Sequence, residues 1–294
     1  MLNRSIVAPP FFKHDRTDKS VSSSSNLIDP WDRLDLSQIS SIVPLVDPRK
    51  LKNFCGESFD VILQTKRRNN PMSRIEDVYN YSSMNFHSFK QTKRQPSLNS
   101  TTLPASGAIK LGTNVTRVRE LWTSDEKCAF MLFPYHVINF KGIVNNSKKY
   151  AFVDLQREIV RATRRPKYIQ EVVEKFFDSE IKEEYGALHW RYDPKDWFLH
   201  CDREKNEGPI CSGKHIKVFT GKDLEKFIKQ NYSSCPKIMK NFHDAFSLLE
   251  QEMCFKSRRF YPSTGSSWSL NVVMERIVFD KRENEDNYNL MKNI

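Results

Sequence analysis

The amino-acid sequence predicts an α/β fold with a parallel sheet, and two observations support this prediction. Apolar residues recur at helical spacing through the C-terminal half of the chain, most clearly in residues 154–177. Between such stretches stand short apolar segments, residues 185–189 and 216–219, whose length is typical of buried strands. Because strands that alternate with helices usually belong to parallel sheets, the C-terminal half favours this architecture.

The N-terminal half contains shorter elements. Residues 2–8 predict a short buried strand, which the following proline pair ends because proline has no amide hydrogen for a strand ladder. Residues 31–36 and 39–46 indicate further ordered structure. The stretch 66–106 is rich in Lys, Arg, Asn and Ser, and predicts a long loop of the kind that is usually functional or mobile.

The C-terminal half predicts a series of helices. Pro166 divides residues 154–177 into two of them, because proline suits the first turn of a helix better than its interior. Thr220 and Asp223 predict a capping box at the start of the next helix. Two more helices follow, and their inward-facing residues are Ile238, Met239, Phe242, Ala245, Phe246 and Leu249 in the first and Leu270, Val273, Met274 and Ile277 in the second.

The composition indicates a folded protein with a basic surface. Of the 294 residues, 38% are hydrophobic and 12% aromatic, which is too apolar for a disordered chain. The 47 basic and 36 acidic side chains give a formal net charge of +11. No apolar run has the length of a membrane span, and residues 1–12 lack the pattern of a secretory signal. We therefore expect either a cytosolic chain or one whose start is missing.

Cysteines and glycosylation sequons bear on the compartment. The six cysteines form no CxxC pair, so the sequence gives no local support for a zinc cluster or a thioredoxin-type site. Their spread fits disulfides in an oxidising lumen and buried free thiols equally well. A mild excess of sequons favours the secretory route, although coincidence in an Asn- and Ser-rich chain explains it too. The sequons begin at Asn3, Asn80, Asn99, Asn114, Asn145 and Asn231.

Two segments stand where a parallel sheet binds its ligands, beyond the carboxyl ends of strands. His189, Trp190 and Arg191 follow one predicted strand, and an arginine offers a diphosphate a permanent charge and a fork of donors. The serine-rich turn 263–269 precedes a helix, whose positive end favours an anion. A structural ion pair for Arg191, a backbone contact for His189 and an ordinary N-cap for the turn are the alternatives. Together the segments predict a phosphate held between an arginine and a helix start.

These residues resemble three motifs of the GDP-fucose protein O-fucosyltransferases. Residues 189–191 resemble the family's His-X-Arg motif, and residues 266–269, Ser-Ser-Trp-Ser, resemble its C-terminal Ser-Thr-Phe-Ser. Glu250 and Gln251, followed by Cys254, stand where members that modify thrombospondin repeats have Asp-Gln and a cysteine. The motifs occur in the family's order and at matched spacing, and the resemblance covers most of the chain with a weak match in the middle.

The resemblance implies a GT-B-like glycosyltransferase fold of two Rossmann-like lobes. Residues 1–150 would form the acceptor-side lobe, and residues 151–294 the lobe that binds GDP-fucose. The family's first element, a glycine-rich loop, has no counterpart in this sequence, so the N-terminal lobe would be incomplete. Truncation of the chain is the favoured explanation, because a sheet without its first strand exposes an edge. A degenerate protein without transfer activity is the alternative.

The resemblance also implies roles for the motif residues. Arg191 would be catalytic, since it would stabilise the negative charge that develops on departing GDP. Glu250 would accept hydrogen bonds from guanine, and its extra methylene relative to aspartate makes that transfer less direct. Asp193 and Asp196 would lie on the acceptor side, although solvated loop carboxylates are commoner. The donor-binding set would comprise His189, Arg191, Glu250, Ser266, Ser267 and Trp268.

The function that the resemblance implies is metal-independent, inverting transfer of fucose from GDP-fucose to a Ser or Thr hydroxyl. The acceptor would be a folded secreted domain, an EGF-like or thrombospondin-type repeat, in the lumen of the endoplasmic reticulum or Golgi. No cofactor is expected beyond the donor substrate, no metal site and no transmembrane segment. The absence of an Asp-X-Asp motif from the sequence agrees with metal independence.

Two other functions are alternatives. One is a pseudoenzyme that binds the nucleotide without turnover, and the other is a nucleic-acid-binding protein. The second depends on the net charge and on a basic cluster, although no nucleic-acid-binding motif accompanies them and a solvated basic face explains the cluster as well. The cluster comprises Arg157, Arg161, Arg164, Arg165 and Lys167.

Overall fold

The computed structural model describes residues 5–8, 10–12, 27–57, 59–64, 72–84, 127–132, 153–189, 217–263 and 266–281. The chain divides into two compact units, Met1–Pro166 and Lys167–Ile294. The sequence-based division at residue 150, into an acceptor lobe and a donor lobe, stays a prediction.

The described part of the first unit consists of short strand pairs and helices. Its parallel pairs are β1 (Ile6–Val7) with β4 (Leu45–Val46) and β5 (Val61–Gln64) with β6 (Ala129–Leu132), and its antiparallel pair is β2 (Phe11–Phe12) with β3 (Leu27–Ile28). Its helices are α1 (Leu36–Ser40), α2 (Leu51–Cys55), α3 (Met72–Tyr81) and α4 (Val153–Ala162), with 3₁₀ turns at Pro30–Asp32 and Pro48–Lys50.

A disulfide and a small apolar cluster stabilise this unit. Cys55, the last residue of α2, is bonded to Cys128, which precedes β6. Phe59 meets the fully buried ring of Tyr79 edge-on, with 5.1 Å between the ring centroids. Val7 packs against the same cluster.

The predicted burial of the first strand is wrong in part. Within the described residues of that segment, only Ile6–Val7 is extended, and Ile6 is 50% exposed. Successive side chains of a strand point to opposite sides, so the one that packs on the cluster is Val7.

The second unit places helices around one parallel strand pair. Its helices are α5 (Lys167–Phe176), which continues into a π-helical turn (Phe177–Ile181), α6 (Gly221–Asn231), α7 (Pro236–Met239), α8 (Phe242–Lys256) and α9 (Ser267–Val278). Its strands are β7 (Gly186–Leu188) and β8 (Arg259–Tyr261), which pair Gly186 with Arg259, Ala187 with Phe260 and Leu188 with Tyr261. The long helix α8 packs against α5, α7, α9 and β7, and its buried Leu249 belongs to the core cluster.

Several predicted elements of this half are confirmed. Helices α4 and α5 end and begin on either side of Pro166. The carboxylate of Asp223 accepts from the backbone N–H of Thr220 at 2.7 Å, which is the capping box predicted for α6. Hydrogen bonds from the backbone N–H and the hydroxyl of Thr220 hold the pKa of Asp223 below its usual range.

Three predicted elements differ from the structure. The stretch 66–106, predicted as a long loop, contains helix α3 (Met72–Tyr81) in its described part. Residues 217–219 form no strand, and Val218 is 71% exposed, because Phe219 alone turns toward the core, where its ring meets Phe176 edge-on. The helix predicted around residues 238–249 is two helices, α7 and α8. They are separated at Asn241, whose φ of −132° and ψ of 54° are not helical.

The α/β prediction is therefore confirmed as a mixture of helices and short, mostly parallel strand pairs. Over the parts of the chain that the structure describes, each strand pairs with one other strand. None of the helices described there is long and apolar enough to cross a membrane.

Candidate functional site

The candidate site lies at the edge where β7 and β8 both end. Parallel strands bring their carboxyl ends to the same edge of a sheet, so the residues after each strand become neighbours. His189 follows β7, and its backbone N–H donates to the carbonyl of Tyr261 at 3.1 Å, which extends the pairing by one step. The serine-rich turn follows β8 at the same edge.

One buried hydroxyl joins the two segments. Nδ1 of His189 lies 2.6 Å from Oγ of Ser269, although the two residues are 80 positions apart in sequence. Ser269 is fully buried, and its Oγ also accepts from the backbone N–H of Ser263 at 3.1 Å. The structure thus brings the histidine of the first motif into direct contact with the last serine of the second.

Trp268 covers the histidine from the helix side. Its ring lies against the imidazole of His189 with 4.1 Å between the ring centroids and 33° between their planes. The indole Nε1–H donates to Oγ of Ser247, on α8, at 2.9 Å. Trp268 is therefore fixed at both ends while part of its surface remains exposed.

Ser266 caps α9. Its Oγ accepts from the backbone N–H of Ser269 at 3.3 Å, and its carbonyl accepts from the N–H of Leu270 at 2.9 Å. The structure thus shows the N-cap that was the alternative interpretation of this turn. Ser267, the first helical residue, is exposed. The positive end of the helix dipole lies at these two serines, where an anion would be stabilised.

Glu250 is on α8, three residues after Ser247 and therefore on the same side of that helix. Burial raises its pKa to about 7. A Cβ added to Gly221 would lie 3.2 Å from Oε1 of Glu250, so the start of α6 approaches the carboxyl group at a residue without a side chain. At neutral pH this carboxyl group exchanges between an acceptor and a donor form.

Several predicted site residues lie outside the described residues, so the structure does not place them. They are Trp190, Arg191, Asp193 and Asp196. The convergence of Arg191 with the serine-rich turn stays a prediction.

Sequence reasoning missed the roles of Ser247 and Ser269. Ser247 is a polar residue among apolar ones, three residues before Glu250 and so on the same side of α8. This position was the available signal for a contact with the site. Ser269 belongs to the predicted motif, but its contact with His189 depends on how β7 and β8 pair, which sequence spacing does not specify.

The basic cluster does not form one exposed surface. Arg164 and Arg165 are 9% and 2% exposed, so their charges are not available to phosphates in solution. Arg161 and Lys167 are exposed, and Arg157 is half-buried. The nucleic-acid interpretation therefore loses two of the five basic residues on which it depends.

Cysteine pairing and metal binding can be stated for the described residues. Cys55 and Cys128 form a disulfide, whereas Cys235 and Cys254 take part in no disulfide. The described residues include no group of three or more His, Cys, Asp or Glu side chains arranged to hold a metal ion. Cys201 and Cys211 lie outside the described ranges.

Comparisons with known proteins give similarity in structure only. No protein-family model matches the chain, and no curated protein matches its sequence. Two crystal structures of POFUT1 in complex with GDP are similar to this chain with 13% sequence identity: one has a TM-score of 0.47 over 93% of this chain and 86% of that chain, and the other 0.45 over 94% and 87%. A structure of POFUT1 in complex with GDP-fucose has a TM-score of 0.44 at 13% identity, over 94% of this chain and 86% of that chain.

Proposed function

We propose that this chain transfers fucose from GDP-fucose to a Ser or Thr hydroxyl of a folded secreted domain. One observation supports the proposal most: His189 and the turn of Ser266 to Ser269 meet at the carboxyl edge of a parallel strand pair. Glu250 stands one helical turn from Ser247, which binds Trp268. These three motifs carry the sequence resemblance to the protein O-fucosyltransferases, and a GT-B-like fold of two lobes is part of the proposal.

The proposed donor site stabilises negative charge. The bond between C1 of fucose and the β-phosphate oxygen breaks, the acceptor oxygen bonds to C1 from the opposite face, and the configuration inverts. GDP leaves with the bonding electrons, and the proton of the acceptor hydroxyl passes to solvent water. Arg191, the hydroxyls of Ser266 and Ser267 and the first-turn N–H groups of α9 would stabilise the charge on GDP. Asp193 and Asp196 stay candidates for contact with the acceptor.

Glu250 and Trp268 are assigned to the binding of the guanine base. In its ionised form, the carboxylate of Glu250 would accept from the N1–H and the amino group of guanine. A protonated carboxyl group loses this ability, so the pKa of about 7 makes guanine binding sensitive to pH in the neutral range. Trp268 would line the nucleotide pocket with its exposed edge.

The proposed compartment is the lumen of the endoplasmic reticulum or Golgi. The disulfide between Cys55 and Cys128 supports this compartment, because such bonds persist where the environment is oxidising. Asn80 and Asn231, which begin sequons, are both exposed.

Ligand titration tests the proposal. We expect GDP and GDP-fucose to bind in calorimetric titrations, and UDP and ADP not to bind, because Glu250 selects guanine. Transfer is then assayed with labelled GDP-fucose and folded EGF-like and thrombospondin-type domains. Equal binding of the three diphosphates, or no binding, would contradict the donor assignment.

The same assays separate the alternatives. Tight binding of GDP-fucose without transfer or hydrolysis would identify a pseudoenzyme. Binding to nucleic acid that falls steeply with added salt, together with no response to GDP, would favour the nucleic-acid interpretation.

A further inference from the structure

The surroundings of the contact between His189 and Ser269 indicate which atom, Nδ1 or Oγ, carries the hydrogen of the bond. Oγ of Ser269 accepts from the backbone N–H of Ser263, which can only donate. The hydroxyl hydrogen of Ser269 therefore remains available, and Nδ1 of His189 is 2.6 Å away. An Nδ1 that accepts this hydrogen carries none of its own, so a neutral ring holds its hydrogen on Nε2.

The opposite arrangement is less favourable. If Nδ1 carried the hydrogen and donated it to Oγ, the hydroxyl hydrogen of Ser269 would need another acceptor. Ser269 is fully buried, and its hydroxyl contacts within the described residues are His189 and Ser263. A buried donor without an acceptor costs about 1 to 3 kcal/mol, so the Nε2–H form is preferred.

Two further contacts hold the ring in this orientation. Trp268 covers one face of the imidazole, and the Nε1–H bond to Ser247 anchors Trp268 to α8. The backbone of His189 is fixed by its bond to Tyr261. Rotation of the ring about χ2 would break the short bond to Ser269.

We propose that Ser269 is a positioning residue that holds His189 as its Nε2–H tautomer, so that the imidazole presents a hydrogen-bond donor to the diphosphate of the nucleotide. The assignment of the diphosphate rests on the proposed function, whereas the tautomer does not. An N–H donor next to a helix start would add to the stabilisation of the anion.

Nitrogen-15 NMR tests the tautomer without any ligand. In a chain labelled at histidine, two-bond proton–nitrogen correlations distinguish the tautomers, and a His189→Asn variant identifies the resonance by its loss. We expect His189 in the Nε2–H form. The exposed His243 is an internal reference for a histidine at the surface. A wild-type His189 in the Nδ1–H form would overturn the proposal whether or not a Ser269 variant folds.

Two variants test the role of the hydroxyl. Ser269→Ala removes the donor, so we expect His189 to lose its fixed tautomer and GDP affinity to fall about tenfold, which corresponds to about 1.4 kcal/mol. Ser269→Thr keeps the hydroxyl and is expected to retain both the Nε2–H tautomer and the GDP affinity. Ser257→Ala is the matched control, because Ser257 is also buried and its hydroxyl donates to a backbone carbonyl, that of Cys254, at 2.8 Å.

The outcomes separate this inference from the proposed function. An unchanged tautomer in a folded Ser269→Ala variant would overturn the positioning role, and so would a changed tautomer with unchanged GDP affinity. An Nε2–H tautomer that depends on Ser269, in a chain that binds no GDP, would support the positioning of His189 and contradict the nucleotide assignment alone.

Discussion

Arg191 carries the charge on which the proposed reaction depends most, and its removal is the most direct test of that reaction. We expect Arg191→Ala to lower the transfer rate by a factor of 100 or more, because the loss of one preorganised donor costs roughly 3 kcal/mol in the transition state. Arg191→Lys is expected to recover only part of the rate, since a point charge does not reproduce the two-pronged donor. Steady-state transfer kinetics with GDP-fucose measure both effects.

Arg258 provides the matched control for that experiment. It is an exposed arginine on the second unit whose guanidinium pairs with Glu184. We expect Arg258→Ala to transfer at the wild-type rate. A folded Arg191→Ala variant with normal turnover would show that the donor-site assignment is wrong.

Glu250 gives the candidate site a pH dependence whose sign can be worked out. Its pKa in the folded chain, about 7, is above its ordinary value of 4.5, so its contribution to stability is complete below about pH 4.5 and is lost as the pH rises through 7. Guanine recognition needs the ionised form, so GDP affinity changes in the opposite direction. We expect the affinity to rise roughly tenfold between about pH 6 and about pH 8, measured by calorimetry.

The variant Glu250→Gln isolates the carboxyl group. Part of any pH dependence comes from the phosphate of GDP itself, which has a pKa of about 6, and the glutamine variant retains only that part. Glu225→Gln serves as the control, because Glu225 is on a neighbouring helix and pairs with Lys229. An identical pH profile in the wild type and in Glu250→Gln would refute the role of Glu250.

Residue types at the site were predictable, whereas their partners were not. Histidine at a strand end and serines before a helix follow from local chemistry, and the sequence places both correctly. The bond from His189 to Ser269 requires the two strands to end in register, and the bond from Trp268 to Ser247 requires α8 to pack beside α9. Both are consequences of tertiary packing between distant segments.

At the scale of elements, apolar periodicity predicted helices better than it predicted their ends. The stripes of α5 and α6 and the break at Pro166 appear in the structure as expected. The break at Asn241 was not predicted, because the apolar spacing continues across it from α7 into α8. Strands of two to four residues are too short for alternation to identify, and their pairing depends on contacts across the fold.

Arg276, on α9, links three elements of the second unit. It is 7% exposed, and its guanidinium donates to the carbonyls of Phe255 at 2.8 Å, Ser257 at 2.6 Å and Arg258 at 3.0 Å. These carbonyls lie at the end of α8 and at the turn into β8, where helix geometry leaves them without intrahelical donors. Arg276 therefore completes the hydrogen bonding that α8 cannot provide for itself.

We expect Arg276→Met to lower the free energy of unfolding by roughly 3 kcal/mol, since several buried carbonyls would lose a charged donor. Urea denaturation of the purified chain measures this change. Arg258→Met is the control, and the loss of its exposed ion pair is expected to change stability by about 1 kcal/mol or less. Equal effects of the two substitutions would contradict the structural role of Arg276.

At the scale of the whole molecule, the disulfide provides the longest covalent constraint among the described residues. Cys55 and Cys128 are 73 residues apart, so the bond restricts a long loop of the unfolded chain. In the chain-entropy model this restriction is worth roughly 4 kcal/mol. We expect reduction to lower the stability of the wild type by about this amount in urea titrations. A Cys55→Ser, Cys128→Ser double variant should not respond to reductant, and an identical response of both proteins would argue against the bond.

The net charge of +11 has a different meaning once burial is known. Charges on Arg164, Arg165 and Arg276 are inside the units, and Arg276 serves backbone carbonyls. Composition could predict a basic protein but not which basic groups face solvent, because that division depends on the three-dimensional contacts of each side chain. A charge-based argument for a nucleic-acid partner is correspondingly weaker.

Helix α9 begins at the candidate site and carries Arg276 in its last turn. During evolution, binding would therefore constrain the residues at one end of the helix and stability those at the other. A descendant that lost the proposed ligand could replace His189 and Ser269, yet Arg276 would still stabilise its fold. Orthologues that keep all three are expected to retain a ligand, whereas a lineage that keeps Arg276 alone would mark the branch where the site fell out of use.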